Sequence, residues 1–165
     1  MRKTGFVTTV ALLGVFLIGA SAQVAAQDED KKAITEVIKT FEKAVADLDF
    51  DKADAMIVRD ARWIEDSYPW LVRQWPQFLR DAKAAHMRIV FNVHDMNVQT
   101  HGATAWVTLT LDGTFMGNTD AAKALLGGKS EWRLTFVESE VLIKTREGWR
   151  IVLGHTTRLP ENKAK

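Results

Sequence analysis

Residues 147–160 read EGWRIVLGHTTRLP, a turn followed by a strand whose character changes along its length. In a strand, every second side chain lies on the same face. On that pattern one face carries, in order, Trp149, Ile151, Leu153, His155 and Thr157. Three large apolar groups are followed by an imidazole and a hydroxyl. This order predicts a core face that becomes polar where the strand reaches the mouth of a pocket.

Three further segments with a two-residue period precede this strand. They are RIVFNVHDMNV (88–98), ATAWVTLTLDGTF (103–115) and SEWRLTFVESEVLIKT (130–145). Short turns at THG and REG join the strands in pairs. Long neighbouring strands with tight turns predict an antiparallel, strongly curved sheet. Glu138 and Glu140 share one face of the third segment, and we interpret them as solvent-side charges or dimer contacts without a catalytic role.

Helical patterns come before the strands. Residues 34–48 carry apolar side chains at three- and four-residue steps, which predicts a long helix with one buried stripe. Asp51 is the expected N-cap of a short second helix, and Pro76 marks the start of another. The segment MGNTDAAKALLGGKS is a loop with room for a short helix. Helices followed by strands indicate an α+β fold.

The first 26 residues have the features of a secretory signal. A basic start, MRK, precedes the uncharged run FVTTVALLGVFLIGA, which is short for a membrane-spanning helix. Cleavage is predicted after Ala22 or Ala26, and an uncleaved anchor is the alternative. The remaining residues, 27–165, are expected to form one domain in a periplasmic or secreted protein.

Composition excludes several classes of protein. Loss of Arg2 and Lys3 with the signal changes the formal net charge from +1 to −1, so the surface has no bias toward nucleic acid or anionic lipid. We therefore expect neither nucleic acid nor, after signal cleavage, a membrane as a partner. The chain has no cysteine, which excludes disulfides, a thiol nucleophile and a thiolate metal site.

Four segments together resemble a known family. They are the helix pattern I–x2–VI–x2–FEKAVADLDFDKADAM, then DARWIED, GATAWVTLTL and EGWRIVLGHTT. They look like the SnoaL-like branch of the nuclear-transport-factor-2-like superfamily, which includes ketosteroid isomerase, polyketide cyclases and scytalone dehydratase. The resemblance implies a cone: a curved antiparallel sheet wrapped around the long N-terminal helix, with two further short helices. It also implies a homodimer formed through the sheet.

The resemblance places a pocket inside the cone. The residues it nominates as lining are Phe41, Trp63, Asp66, Tyr68, Trp70, Trp106, His155 and Thr157. The ligand expected in such a pocket is a small apolar or aromatic molecule, held mainly by apolar contacts. A domain that only binds this molecule is the first interpretation of the sequence.

A cofactor-free isomerase, cyclase or dehydratase is the alternative. His155 with Asp66 would exchange a proton near neutral pH, and Glu65 is another possible base. The tyrosine of ketosteroid isomerase corresponds to Phe41, which cannot donate a hydrogen bond. The four histidines show no metal-binding spacing, and His94 and Asp95 are expected on opposite faces of a strand. No metal or other cofactor is predicted.

Overall fold

The computed structural model describes residues 7–65 and 68–160, and side chains over 26–65 and 69–160. The helices are α1 (Val7–Ala46), α2 (Phe50–Asp54), α3 (Gln77–Ala84) and α4 (Asp120–Leu125), with a 3-10 turn at Val72–Gln74. The strands are β1 (Ile57–Glu65), β2 (Tyr68–Leu71), β3 (Arg88–His101), β4 (Thr104–Met116), β5 (Glu131–Thr145) and β6 (Gly148–Arg158). These elements confirm the predicted α+β class.

The described strands form one curved sheet in the order β2-β1-β6-β5-β4-β3. Strands β3 to β6 make antiparallel pairs, as the tight turns predict. The pairing of β1 with β6 is parallel, so the sheet is mixed. The chain leaves β1 through β2 and α3 and returns to it only as β6, and such a long excursion permits the parallel pairing.

Two local predictions change. Asp49, not Asp51, caps α2, because its side chain accepts a hydrogen bond from the backbone N–H of Lys52 at 3.2 Å. Strand β2 was not among the predicted strands. Pro69 is tolerated there because β2 is an edge strand of the sheet. Helix α3 begins after Pro76 as predicted, and the loop before β5 holds the short helix α4.

The core lies between α1 and the concave face of the sheet. Ile34, Ile38 and Ala44 on α1 are fully buried. On β4 the inward face is apolar, and Ala105, Val107, Leu109 and Leu111 are at most 2% exposed. The opposite face of β4 carries Thr104, Trp106 and Thr108, which are exposed. The sheet therefore has an inner face that packs against α1 and an outer face that is exposed to solvent. Each side chain of β5 and β6 lies on one of these two faces.

A bulge in β6 determines which of its side chains point inward. Leu142 of β5 pairs with Ile151, but the preceding Val141 pairs with Leu153, so Val152 is an extra residue on β6. An extra residue shifts the alternation by one position. Before it, Trp149 and Ile151 are buried; after it, Gly154 and Thr156 are buried, while His155 and Thr157 are exposed.

Among the described residues, no helix is both long and apolar enough to cross a membrane. Residues 1–6 of the predicted signal peptide lie outside the described part, and its cleavage stays a prediction.

Candidate functional site

A cavity of about 200 Å³ lies inside the curved sheet. Its walls come from α1, β1, β2, α3 and the inner face of β3 to β6. Five of the lining residues come from the segment Trp70–Leu79. The complete lining is Phe41, Glu42, Val45, Trp63, Glu65, Trp70, Trp75, Pro76, Phe78, Leu79, Phe91, Leu111, Phe115, Phe136, Glu138 and Thr156.

Stacked aromatic rings form one wall of this cavity. The ring of Phe41 lies 5.5 Å from that of Trp63 and 6.5 Å from that of Trp75, measured between centroids. Trp70 is 6.4 Å from Trp63 on the other side. Offset rings at these distances attract each other beyond their burial. The structure thus places the nominated residues Phe41, Trp63 and Trp70 on the cavity, and their contact with a ligand stays a prediction.

A hydrogen-bonded series of side chains crosses from the aromatic wall to a carboxyl group. The indole Nε1 of Trp63 donates to Thr156 Oγ1 at 2.6 Å, and Thr156 Oγ1 donates to Glu138 Oε1 at 3.0 Å. Thr156 is 7% exposed and Glu138 is 4% exposed. The hydroxyl on the cavity is therefore Thr156 rather than the nominated Thr157, because the bulge at Val152 exchanges the two faces.

Three buried glutamates meet beside the cavity, and we call them the carboxyl cluster: Glu42 of α1 with Glu138 and Glu140 of β5. One oxygen from each lies within 4.8 Å of the others. Within the described part of the chain, Glu42 Oε1, Glu138 Oε2 and both oxygens of Glu140 have no hydrogen-bond partner. The cluster could supply carboxylate ligands to a metal ion. The sequence-based interpretation of Glu138 and Glu140 as solvent-side charges is wrong.

Burial shifts the ionisation of all three groups. It raises the pKa of Glu138 from 4.5 to about 7, opposed by the Thr156 hydrogen bond and assisted by the negative charge of Glu65. For Glu42 and Glu140, burial and the neighbouring carboxylates raise the pKa well above the usual value. Near neutral pH the cluster therefore holds protons that exposed glutamates would have lost.

The histidine of the predicted proton-transfer pair does not line the cavity. His155 is exposed and pairs with Ser139 and Ile64 on the outer face of the sheet. Asp66 lies outside the described residues. A dyad on the pocket face through His155 is therefore wrong, and the reason is the single extra residue at Val152. The prediction assumed unbroken alternation along β6.

Two other nominated residues do not line the cavity. Trp106 is 43% exposed on the outer face of β4, next to Thr104 and Thr108. Thr157 is exposed beside His155. Tyr68 begins β2, and its side chain is outside the described side chains.

A second bulge corrects the expectation for His94 and Asp95. Between His94 and Asn97 the pairing of β3 with β4 shifts, and Asp95 has a φ of 52°. As a result His94 Nδ1 lies 2.9 Å from Asp95 Oδ2, and His94 Nε2 lies 3.0 Å from Asp112 Oδ2. The hydrogen bonds to Asp95 and Asp112 raise the pKa of His94. This group lies on the outer side of the sheet, away from the cavity.

The family model for the SnoaL-like domain matches residues 34–157, which contain the cavity and the carboxyl cluster. The chain belongs to the SnoaL-like domain family. A search of curated proteins found no match.

Solved structures show the same fold as this SnoaL-like domain. A nuclear transport factor 2 (NTF2-like) superfamily protein from Salmonella enterica has a TM-score of 0.67 and 16% identity, covering 83% of this chain and 96% of its own. An NTF2-like protein from Streptomyces avermitilis, provisionally named a dehydratase, has a TM-score of 0.64 and 19% identity, covering 81% of this chain and 98% of its own. The association domain of C. elegans CaMKII has a TM-score of 0.63 and 18% identity, covering 80% of this chain and 98% of its own. At these identities the likeness establishes the fold alone.

The sequence of the SnoaL-like domain contained only an ambiguous signal for the missed glutamates. Strand alternation places Glu138 and Glu140 on the same face as Phe136 and Leu142. The other face carries Val137, Val141 and Ile143, so both faces of this strand include large apolar residues. The general preference of glutamate for solvent then favoured the wrong face.

Proposed function

We propose that this chain is an exported small-molecule-binding domain whose ligand occupies the cavity. The observation that carries the proposal is a mostly apolar, aromatic wall with one polar network, Trp63–Thr156–Glu138, at its edge. Ligand pockets commonly combine a large apolar lining with a few placed polar groups. The cavity measures about 200 Å³. An engineered cavity of about 150 Å³ accepts benzene, so a single-ring compound is a suitable size.

A cavity-filling substitution tests this proposal. Val45 lines the cavity from α1, and Val45→Phe should occupy much of the space while keeping the residue apolar. Binding of benzyl alcohol, followed by isothermal titration calorimetry, should be lost in this variant. Val137→Phe on the outer face, where Val137 is 41% exposed, is the matched control and should bind normally. Equal binding by wild type and Val45→Phe would place the ligand elsewhere and reject the proposal.

Cofactor-free proton transfer is the second candidate function, of the isomerase, cyclase or dehydratase type. The observation that favours it is Glu138, a cavity-lining carboxyl whose pKa is raised to about 7. A general acid–base group works best when its pKa is near the operating pH. In this role Glu138 replaces the His155–Asp66 pair expected from sequence.

Hydrogen exchange in a bound ketone tests the second candidate. Acetophenone in D₂O should gain deuterium at its methyl group faster with wild type than with Glu138→Gln. The variant keeps the shape of the side chain and removes the exchangeable acid. Exchange at the same rate with both proteins would exclude Glu138 as the base.

We also propose a homodimer that forms through the outer face of the sheet. Trp106, Val137 and Ile143 are 43%, 41% and 37% exposed there, and they supply apolar surface that a second copy of the chain would cover. Two of the similar structures are described as a CaMKII association domain and a CaMKII hub. Light scattering after size exclusion should report a dimer that Trp106→Lys with Val137→Lys converts to a monomer. A monomeric wild type would reject the proposal.

A further inference from the structure

The charged residues that line the cavity all have the same sign. They are Glu42, Glu65 and Glu138, and no Lys, Arg or His contributes to the lining among the residues that the structure describes. An anionic ligand would be repelled by these groups once they ionise. A neutral ligand would supply no counter-charge to these carboxyl groups when they ionise.

The aromatic wall adds a second preference for positive charge. Four rings line the cavity: Phe41 stacks with Trp63 and with Trp75, and Trp70 is tilted by 33° against Trp63. The face of an aromatic ring carries partial negative charge and attracts cations, most strongly when the ring is tryptophan and water is excluded. Trp63 and Trp75 are 6% and 7% exposed.

The unpartnered oxygens give a third, independent indication. Glu138 Oε2 and Glu42 Oε1 lie on buried, cavity-lining side chains and accept no hydrogen bond from any described residue. Buried polar atoms without a partner are rare in folded proteins. A primary ammonium group carries one positive charge and three N–H donors, so it would satisfy several of these oxygens at once.

Resting on the proposed binding function, we propose that the ligand is an organic cation. It would consist of a small ring-bearing or aliphatic body against the tryptophans and a protonated amine at Glu138 and Glu42. Glu140 belongs to the same carboxyl cluster but does not line the cavity. In this proposal aromatic rings surround the body of the ligand, and the carboxylates of Glu138 and Glu42 bind its ammonium group.

A metal ion fits the surroundings less well than an amine. Hard divalent cations such as Ca²⁺ require about six to eight oxygen ligands. Glu42, Glu138 and Glu140 would supply carboxylate oxygens to such an ion, and Thr156 and Glu65 are the other oxygen-bearing side chains of the site. The rest of the lining is aromatic or aliphatic and offers no ligand atoms. An amine uses both the carboxylates and the apolar surface.

Binding of an amine must be linked to proton release. The groups that face Glu138 are Glu42 from α1, Glu65 from β1 and Glu140 from β5, all acidic, and the uncharged Thr156 from β6. The amine requires an ionised Glu138, whose pKa in the free protein is raised to about 7 by burial. Affinity for the amine should therefore rise as pH increases from 5.5 to 8, while affinity for a neutral analogue should not.

Three probes of the same size and different charge test the proposal: benzylammonium, benzyl alcohol and benzoate. Calorimetry at pH 8 should show benzylammonium binding roughly tenfold to hundredfold more tightly than benzyl alcohol, the range expected of a buried charge-assisted hydrogen bond. Benzoate should bind most weakly. Glu138→Gln should lower the affinity for benzylammonium at least tenfold and leave the affinity for benzyl alcohol unchanged. Glu36→Gln, an exposed position on α1, should change neither affinity.

The outcomes separate this inference from the function on which it rests. Equal affinity for benzylammonium and benzyl alcohol would overturn the cation assignment and leave the pocket in place. No binding of any probe would overturn both. Stoichiometric binding of Ca²⁺ or Mn²⁺ that Glu138→Gln abolishes, without amine binding, would also overturn the assignment. Glu140→Gln, which leaves the cavity wall unchanged, is a second variant. It should lower the affinity for benzylammonium by a smaller factor than Glu138→Gln does.

Discussion

The two faces of strands β5 and β6 share one backbone and have opposite chemistry. The inner face carries Phe136, Glu138, Glu140, Gly154 and Thr156, all buried. The outer face carries Val137, Ser139, His155 and Thr157, all exposed. His155 and Thr157, the polar pair that the sequence favoured for chemistry, are exposed to solvent. Buried position, more than residue type, makes the glutamates chemically unusual, because burial is what raises their pKa values.

The largest expected difference between the faces concerns two tryptophans. Trp63→Ala removes a 6%-exposed indole and its hydrogen bond to Thr156, and should lower the free energy of unfolding by about 3–5 kcal/mol. Trp106→Ala, at a 43%-exposed outer position, is the matched control and should cost much less. Urea denaturation measures both. Similar costs would show that the assignment of inside and outside is wrong.

The next effect is a gain in stability. Glu138 keeps its proton more strongly in the folded state, with a pKa of about 7 against the ordinary 4.5, so its contribution is full below 4.5 and is lost as pH rises through 7. The loss is about 3 kcal/mol for a shift from 4.5 to about 7. Glu138→Gln should therefore be more stable than wild type at pH 8 and differ little at pH 4. Thermal melting across this range measures the difference.

The outer face provides the contrast for that experiment. The pKa of His94 is also raised, so its contribution has the same sign and is lost as pH rises. However, the His94 side chain is 39% exposed and solvent screens its interactions with Asp95 and Asp112. His94→Gln should leave most of the pH dependence in place. If it removed the dependence and Glu138→Gln did not, the carboxyl cluster would not control stability.

A smaller effect is expected where β6 passes Trp63. A Cβ at Gly154 would overlap the Trp63 ring, which is itself packed against Phe41 and Trp70. Gly154→Ala should therefore destabilise the fold by about 1–3 kcal/mol through overpacking. The double variant Gly154→Ala with Trp63→Ala should show less than the sum of the two costs, since the overlap disappears. Strict additivity in denaturation would contradict the contact.

The smallest expected effect belongs to the residue that sequence favoured most. His155→Gln should change stability by less than about 0.5 kcal/mol, as at most exposed positions. It should also leave benzyl alcohol affinity and any ketone exchange unchanged, because the ring lies outside the cavity. Calorimetry and the deuterium assay check this together. A loss of either function in His155→Gln would return the histidine to the site.

The fold was largely predictable because its signals are periodic. The apolar stripe of α1 and the alternation in β3 to β6 each repeat over many residues, so the α+β class follows from them. The edge strand β2 was hidden by Pro69, and the parallel pairing of β1 with β6 depends on distant segments. Neither strand β2 nor the parallel pairing of β1 with β6 has a local sequence pattern that predicts it.

The candidate site was predictable only in its apolar part. Phe41, Trp63 and Trp70 line the cavity, but Trp106 lies on the outer face of β4, and His155 and Thr157 were assigned to the wrong face of β6. Alternation fixes faces only while the register is unbroken, and nothing in the run RIVLGH identifies Val152 as an extra residue. On β5 alternation correctly grouped Glu138 with Glu140 on one face, but Val137, Val141 and Ile143 on the other face made the inward side ambiguous.

The account depends most on a buried, cavity-facing carboxyl at Glu138. The ionisation of this group can be measured directly by ¹³C NMR titration of the glutamate carboxyl carbons, with the Glu138 signal assigned from its loss in Glu138→Gln. We predict a midpoint of about 7. A midpoint near the ordinary 4.5 would show a solvated carboxylate and contradict the account.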